Sequence, residues 1–311
     1  PSARSDSSTI EKAFDDLFAT LNPFVTTSEP LRPNQQLYDL LIRPAAKDLA
    51  QSQVKTLVFV LDGVLRGVPI SALHDGQQYL IEQYSIALSP GLQLLPPRWQ
   101  RNSPAEIVPS DQLQTLAGGV SEARQGFSPL PGVVKEVEQI AALVPANVLL
   151  NQAFTRTQFE GKVETVPFPI VHLATHGQFS SEAENTLLLT CGGRINVKEF
   201  DQFLEGRNRR DLRPIELLIL SACQTATGDK RAALGLAGVA VRSGARSTIA
   251  TLWSVQDNST AILMSQLYEA LRQPGINRAE ALRQAQLKLL RSPDYQQPFY
   301  WAPFVLVGNW Q

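Results

Sequence analysis

The sequence is poor in the residues that staple a chain, charge it or hold it in a membrane. Two cysteines in 311 residues, Cys191 and Cys223, cannot build a disulfide framework, so free thiols and a reducing, cytoplasmic compartment are expected. Twenty-eight basic residues against 29 acidic ones leave a net charge of −1, and that balance asks for neither nucleic acid nor an anionic membrane surface. No apolar run has the length of a membrane span, and the first residues carry neither a basic leader nor an apolar signal core. The chain opens at Pro1 rather than methionine, as a fragment missing an N-terminal extension would.

What is present is a hydrophobic content of 43% with 18% charge, enough to bury a full core. Two stretches organise the rest: Val171-His172-Leu173-Ala174-Thr175-His176-Gly177 and Leu217-Leu218-Ile219-Leu220-Ser221-Ala222-Cys223-Gln224-Thr225. Each is an apolar run that stops at a reactive side chain. Such runs read as buried strands, and side chains at strand ends of an α/β sheet emerge at the rim where ligands bind.

Around this pair, Glu11 to Leu21 has helical spacing, and a second helical stretch from Gln36 to Leu49 is interrupted at Pro44. Thr56 to Leu61, Tyr79 to Leu88 and Gln112 to Val120 have strand character, with a proline-rich loop over 96–110. A helix is expected from Pro131 to Pro145, followed by short strands at Val148–Leu150, Ile170–Ala174 and Leu187–Thr190. After Cys223, Gly228 to Ala240 has small residues suited to close helix packing, and Ala245 to Trp253 reads as a strand. Asn258 can cap one helix, Asn277 and Glu280 have capping-box spacing for another, and Phe304 to Val307 is a last strand. The βα alternation implies an α/β fold with a largely parallel central sheet flanked by helices. Residues 1–50 read as an N-terminal linker and helical segment, and 51–311 as the main domain.

Chemistry follows from the pair. Cysteine attacks as thiolate, and an imidazole that takes or shares its proton activates it. Adjacent strands lie about 5 Å apart, so His176 and Cys223 can meet across the rim. The N–H groups of Gly177 and Cys223 can face a carbonyl oxygen there and stabilise its negative charge as it develops. Caspases separate histidine and cysteine by about 50 residues, close to the interval here.

His176-Gly177, Ser221-Ala222-Cys223-Gln224-Thr225 and Thr251-Leu252-Trp253-Ser254-Val255-Gln256-Asp257 together resemble the CHAT domain, a caspase-like family. Asp62-Gly63 through Leu73, Leu130-Pro131-Gly132 with Glu136, Glu280-Ala281-Leu282 and Tyr300-Trp301-Ala302-Pro303-Phe304 add to the resemblance, which covers roughly residues 50–311. It implies a caspase–haemoglobinase fold and a cysteine endopeptidase acting on a protein or peptide substrate, with His176 and Cys223 as the dyad and no cofactor. It also implies a helical-repeat or sensor partner, since family members are commonly joined to such regions, including tetratricopeptide repeats. The cysteine motif departs from the caspase pattern of glutamine before and glycine two after the nucleophile, and Ser221 stands where metacaspase-like enzymes carry aspartate. Separases carry a similar Leu-Trp…Val…Asp stretch, and by that similarity Asp257 approaches the S1 pocket, with Trp253 and Ser221 as further substrate-binding candidates. A carboxylate there favours Arg or Lys at P1.

Each of these residues also has a plainer reading. Cys223 can be a small buried core residue, His176 a satisfied structural histidine, Trp253 core, and Asp257 a helix-terminal carboxylate favoured by the dipole. His172 and His176 stand four apart, but the run reads as strand and no third ligand is evident, so no metal is expected. Cys191 before Gly192-Gly193 and His74 before Asp75-Gly76 read as turn residues. Arg207, Arg209, Arg210 and Arg213 read as a solvated loop, or as an exposed basic autoprocessing site. The function from a different class is a catalytically silent caspase-like interaction module.

Overall fold

A computed structural model describes residues 7–21, 31–91, 113–179, 186–221, 224–225 and 244–311. Cys223, the stretch 228–240 and the loop 96–110 lie outside the described residues. The helices are α1 (Ser7–Thr20), α2 (Arg32–Leu41), α3 (Ala46–Ser52), α4 (Leu80–Gln83), α5 (Gly132–Leu143), α6 (Arg156–Thr165), α7 (Val197–Arg209), α8 (Asp257–Leu271), α9 (Arg278–Leu290) and α10 (Pro298–Trp301). The strands are β1 (Thr56–Phe59), β2 (Ser85–Leu88), β3 (Thr115–Gly119), β4 (Ala146–Leu150), β5 (Ile170–Ala174), β6 (Gly177–Phe179), β7 (Leu187–Thr190), β8 (Gly193–Asn196), β9 (Leu217–Leu220), β10 (Gln224–Thr225), β11 (Ser247–Thr251) and β12 (Phe304–Gly308).

Among the described residues, an eight-stranded sheet runs β1-β2-β12-β11-β9-β5-β3-β4. It consists of two parallel blocks, β11-β9-β5-β3-β4 and β12-β2-β1, joined by the antiparallel β11–β12 pair. The inner strands β3, β5, β9, β11 and β12 are buried along their whole length, which is why β9 and β12 run apolar instead of alternating and why the polar residues of β11 are small hydroxyls. A smaller sheet, β10-β6-β7-β8, grows from the rim where β5 and β9 end.

Helices cover both faces of the main sheet. On β3, Gly119 lies against Val133 of α5, while Gly118 lies under the ring of Phe154 on the opposite face. Phe154 packs on Phe159 of α6, whose ring stacks on Phe200 of α7. Helix α8 packs on α5, and α9 on α8. The first helix also docks on this core. Phe14 and Leu17 are buried, and Phe18 meets Trp253 edge-to-face at 5.7 Å.

Several local expectations change. Tyr79 to Leu88 is not one strand: Glu82 accepts the Tyr79 N–H at 2.7 Å, folding a helical turn before β2 begins at Ser85. The cap of α8 is Gln256, whose side chain accepts from Ser259 N, rather than Asn258. Asn277 caps α9 as expected, accepting from Glu280 N at 2.8 Å.

The arginine run is the largest change. Arg207 lies at the end of α7, is 1% exposed, and donates to the carbonyls of Arg213, Val163, Val166 and Phe168 at 2.8–3.1 Å. The C-terminal carbonyls of α6 lack intrahelical donors, and the planar guanidinium supplies several at once. Arg209 and Arg210 stay at the surface, paired with Glu205 and Glu164.

Candidate active site

The site begins where the two organising strands stop. β5 and β9 run parallel with Leu173 opposite Leu220, and Ser221 N donates to Leu173 O at 3.1 Å. Beyond β5 the chain is tied to β7: the Thr175 hydroxyl donates to Leu189 O, and Leu189 N donates to His176 O, both at 2.8 Å. It then enters β6, where Gln178 lies opposite Gln224 of β10. Two ladders therefore bracket the rim, with five steps from Leu173 to Gln178 on the histidine side and four from Leu220 to Gln224 on the cysteine side. Gly177, the first residue of β6, is buried and pairs with Leu188.

His176 is 9% exposed, and its ring stacks on Phe127 with centroids 4.9 Å apart. Its Nε2 lies 2.7 Å from the carbonyl oxygen of Ser128. A carbonyl only accepts, so Nε2 carries the proton and Nδ1 is the basic nitrogen. Among the described residues no partner meets Nδ1.

Phe127 and Ser128 belong to a loop that is itself well held. Gln125 and Gly126 have φ of 51° and 87°, the left-handed pair of a two-residue hairpin turn closed by Arg124 and Phe127. Ser121 N donates to Asn151 Oδ1 at 2.8 Å, and Gln125 Nε2 donates to Gly193 O at 3.1 Å. Sequence reasoning missed this loop. A backbone acceptor leaves no trace in residue type, and only Gln125-Gly126 carried a turn signature.

Asp257 is the first residue of α8, and its Oδ2 accepts from the N–H of Gly132, the first residue of α5, at 3.1 Å. Gly132 is required by this approach, since a Cβ there would stand 2.7 Å from Asp257 Cβ. Burial raises the Asp257 carboxyl above its ordinary range; the Gly132 N–H opposes that, the Glu136 charge adds to it, and His176 pulls the carboxyl down. The carboxylate is therefore within electrostatic reach of the imidazole and sits at two helix N-termini.

Of the other candidates, Ser221 is fully buried, and its hydroxyl has no hydrogen-bond partner among the described residues. Trp253 is 7% exposed and donates from Nε1 to Phe299 O at 3.1 Å. His172 faces α5 and α8, with Nε2 2.7 Å from Glu136 Oε1 and Nδ1 3.3 Å from the Tyr268 hydroxyl. Cys191 is a half-buried free thiol at the β7–β8 turn, and His74 accepts from Gly76 N within its own turn. No group of three potential metal ligands forms among the described residues, and no helix there is long and apolar enough to cross a membrane.

Among solved structures, the Arg-specific cysteine proteinase gingipain R (RgpB) has a TM-score of 0.53 at 9% identity, covering 98% of this chain and 75% of that one. The complex of the pro- and mature domains of Porphyromonas gingivalis RgpB gives 0.52 at 10% identity, with 97% and 77% covered. Separase of Saccharomyces cerevisiae, in its complex with securin, gives 0.53 at 11% identity, with 98% of this chain but 22% of that chain covered. These likenesses establish the caspase-like α/β fold. No curated protein matches the chain in sequence. The family model described as the CHAT domain matches residues 31–309, and the chain belongs to that family.

Proposed function

We propose that the protein is a cysteine endopeptidase in which Cys223 is the nucleophile and His176 its acid–base partner. One observation carries the reading: His176 stands at the end of β5 with Nε2 committed to Ser128 O, while the neighbouring chain is anchored at Ser221 and Gln224 on either side of Cys223. In this mechanism the Cys223 thiol gives its proton to Nδ1, and the Ser128 carbonyl steadies the imidazolium through Nε2–H. The thiolate adds to the scissile carbonyl, whose oxyanion is met by the N–H groups of Gly177 and Cys223. Nδ1 then protonates the leaving amine, and water hydrolyses the acyl-enzyme.

For P1 the proposal is a basic residue facing Asp257, flanked by Ser221 and Trp253. The Asp257 carboxyl interacts electrostatically with His176 and accepts from Gly132 through one oxygen, and among the described residues no hydrogen bond meets the other. The Arg-specific description of gingipain R, a fold neighbour, supports the same preference. Regulation by a protein partner or helical sensor region is part of the proposal, in line with a separase structure determined with securin.

Profiling a peptide library with wild type and Cys223→Ala tests the reading. Cleavage by wild type alone, together with electrophile labelling of Cys223 that is lost in His176→Ala, is the expected result. Equal labelling of Cys191 and Cys223 regardless of His176, or cleavage retained by Cys223→Ala, overturns it.

A further inference from the structure

Beside the His176 loop lies a cleft of about 440 Å³ lined by Ala123, Arg124, Gln125, Gly192 and Gly193. One wall is the turn that carries Phe127 and Ser128, and the other is the β7–β8 turn. Gln125 spans the two, donating to Gly193 O at 3.1 Å and accepting from Arg194 Nε at 3.0 Å. One guanidinium, that of Arg124, lines the cleft, and a second, that of Arg194, stands behind it on Gln125. Arg124 is about a third exposed and already holds one carboxylate, that of Glu122, and Arg194 is exposed beside Gly193.

The strand order says which part of a substrate reaches this cleft. Across the rim the sequence is β9, β5, β3, β4, so the cysteine-bearing chain lies on one side of His176. The 121–131 loop follows β3 and lies on the other side, with Ser121 fastened to Asn151 just after β4. A nucleophile on the β9 side bonds the scissile carbon, and the imidazole between them faces the leaving nitrogen. The chain attached to that nitrogen therefore continues past His176 and Phe127 toward β3 and β4. The cleft beside that loop therefore lies on the leaving-group side of the scissile bond.

We infer that this cleft is the leaving-group-side subsite and that it receives an acidic side chain of the substrate through Arg124 and Arg194. The inference rests on the peptidase reading for its direction, whereas the cleft and its two cations stand apart from that reading. An incoming Asp or Glu makes charge-assisted contacts of the kind Glu122 already makes. Because the site is open to solvent, the preference it creates is modest, about three- to fivefold.

The test uses two peptide series identical through P1, with Asp or Lys scanned one position at a time over the residues after the scissile bond. Wild type is expected to show an Asp-to-Lys ratio of kcat/KM of about three to five. Arg124→Glu is expected to invert the ratio, and Arg194→Glu to lower it. A ratio of one in wild type, or one that Arg124→Glu leaves in place, overturns the inference while leaving the peptidase reading intact. The same peptides, fluorescently labelled, are titrated against Cys223→Ala by anisotropy. Tighter binding of the Asp series that Arg124→Glu abolishes, with neither cleavage by wild type nor His176-dependent electrophile labelling of Cys223, sustains the cleft and overturns the peptidase reading; equal binding of both series removes the cleft as an acidic site.

Discussion

His172 and His176 stand four residues apart on one chain, yet their surroundings differ in kind. His172 lies in the middle of β5, fully buried, with Glu136 of α5 at one ring nitrogen and Tyr268 of α8 at the other. His176 lies just past the strand end, with a backbone carbonyl at Nε2 and an aromatic ring on its face. In the first case both nitrogens are used to join two helices to the sheet. In the second, one nitrogen is fixed and the ring is oriented, which is the condition for the other to exchange protons. The difference comes from position along the strand. A mid-strand side chain is enclosed by helix faces, whereas a strand-end side chain meets loops.

That contrast can be broken by substitution. His176→Ala is expected to lower kcat/KM for peptide cleavage by about a thousandfold, with a loss of stability of about 1 kcal/mol from the Ser128 and Phe127 contacts. His172→Ala is expected to do the reverse. It strands Glu136 and costs about 3 kcal/mol in urea unfolding, with activity per folded molecule retained. Equal loss of stability in both variants would erase the distinction.

Arg207 extends the comparison to cations. Arg207→Ala removes a guanidinium donor from four carbonyls, of which Val166 O keeps the Phe168 N–H, and is expected to cost about 2–3 kcal/mol, whereas Arg209→Ala, at the exposed Glu205 pair, costs less than about 0.5 kcal/mol. Asp257→Asn sharpens the boundary between positioning and recognition. Its expected effects are about a tenfold loss of Arg/Lys selectivity at P1, read in KM, and a smaller loss of kcat as the Gly132 contact weakens. An unchanged P1 profile would remove Asp257 from the S1 pocket.

The smallest expected effect concerns His74. Burial lowers its pKa below the ordinary value of 6.5, partly offset by Asp75 and Glu82. The unfolded chain therefore binds the proton more readily, and this contribution to stability is present above pH 6.5 and lost as pH falls from there through the folded value. Replacing His74 by Gln should flatten that part of a stability–pH curve measured by thermal unfolding.

Legibility in the sequence follows the range of the interaction that decides each element. β5, β9, the helix after Pro131 and the Asn277 cap were readable because their causes lie within a few residues. The break of Tyr79–Leu88 depended on one side chain, Glu82, reaching back to Tyr79 N. Arg207 was unreadable as a buried residue because its four acceptors come from α6, the lead-in to β5 and Arg213, none of which a local charge run reveals. For the site, the residue carrying the imidazole was visible, but its supports at Phe127 and Ser128 come from nearly 50 residues upstream. The pairing with Gly132 gave the Leu130-Pro131-Gly132 motif a physical cause that its composition alone did not.

The unequal step counts of the two rim ladders set a length gauge. Five steps on one side and four on the other are pinned at both ends, so the length of chain between Leu220 and Gln224 is set by the two ladders. One residue inserted between Ser221 and Gln224 would equalise the counts, and one removed would double the mismatch. A variant can therefore keep His176, Cys223 and every supporting contact and still detune the pair, in the way a vernier shifted by one division no longer reads true.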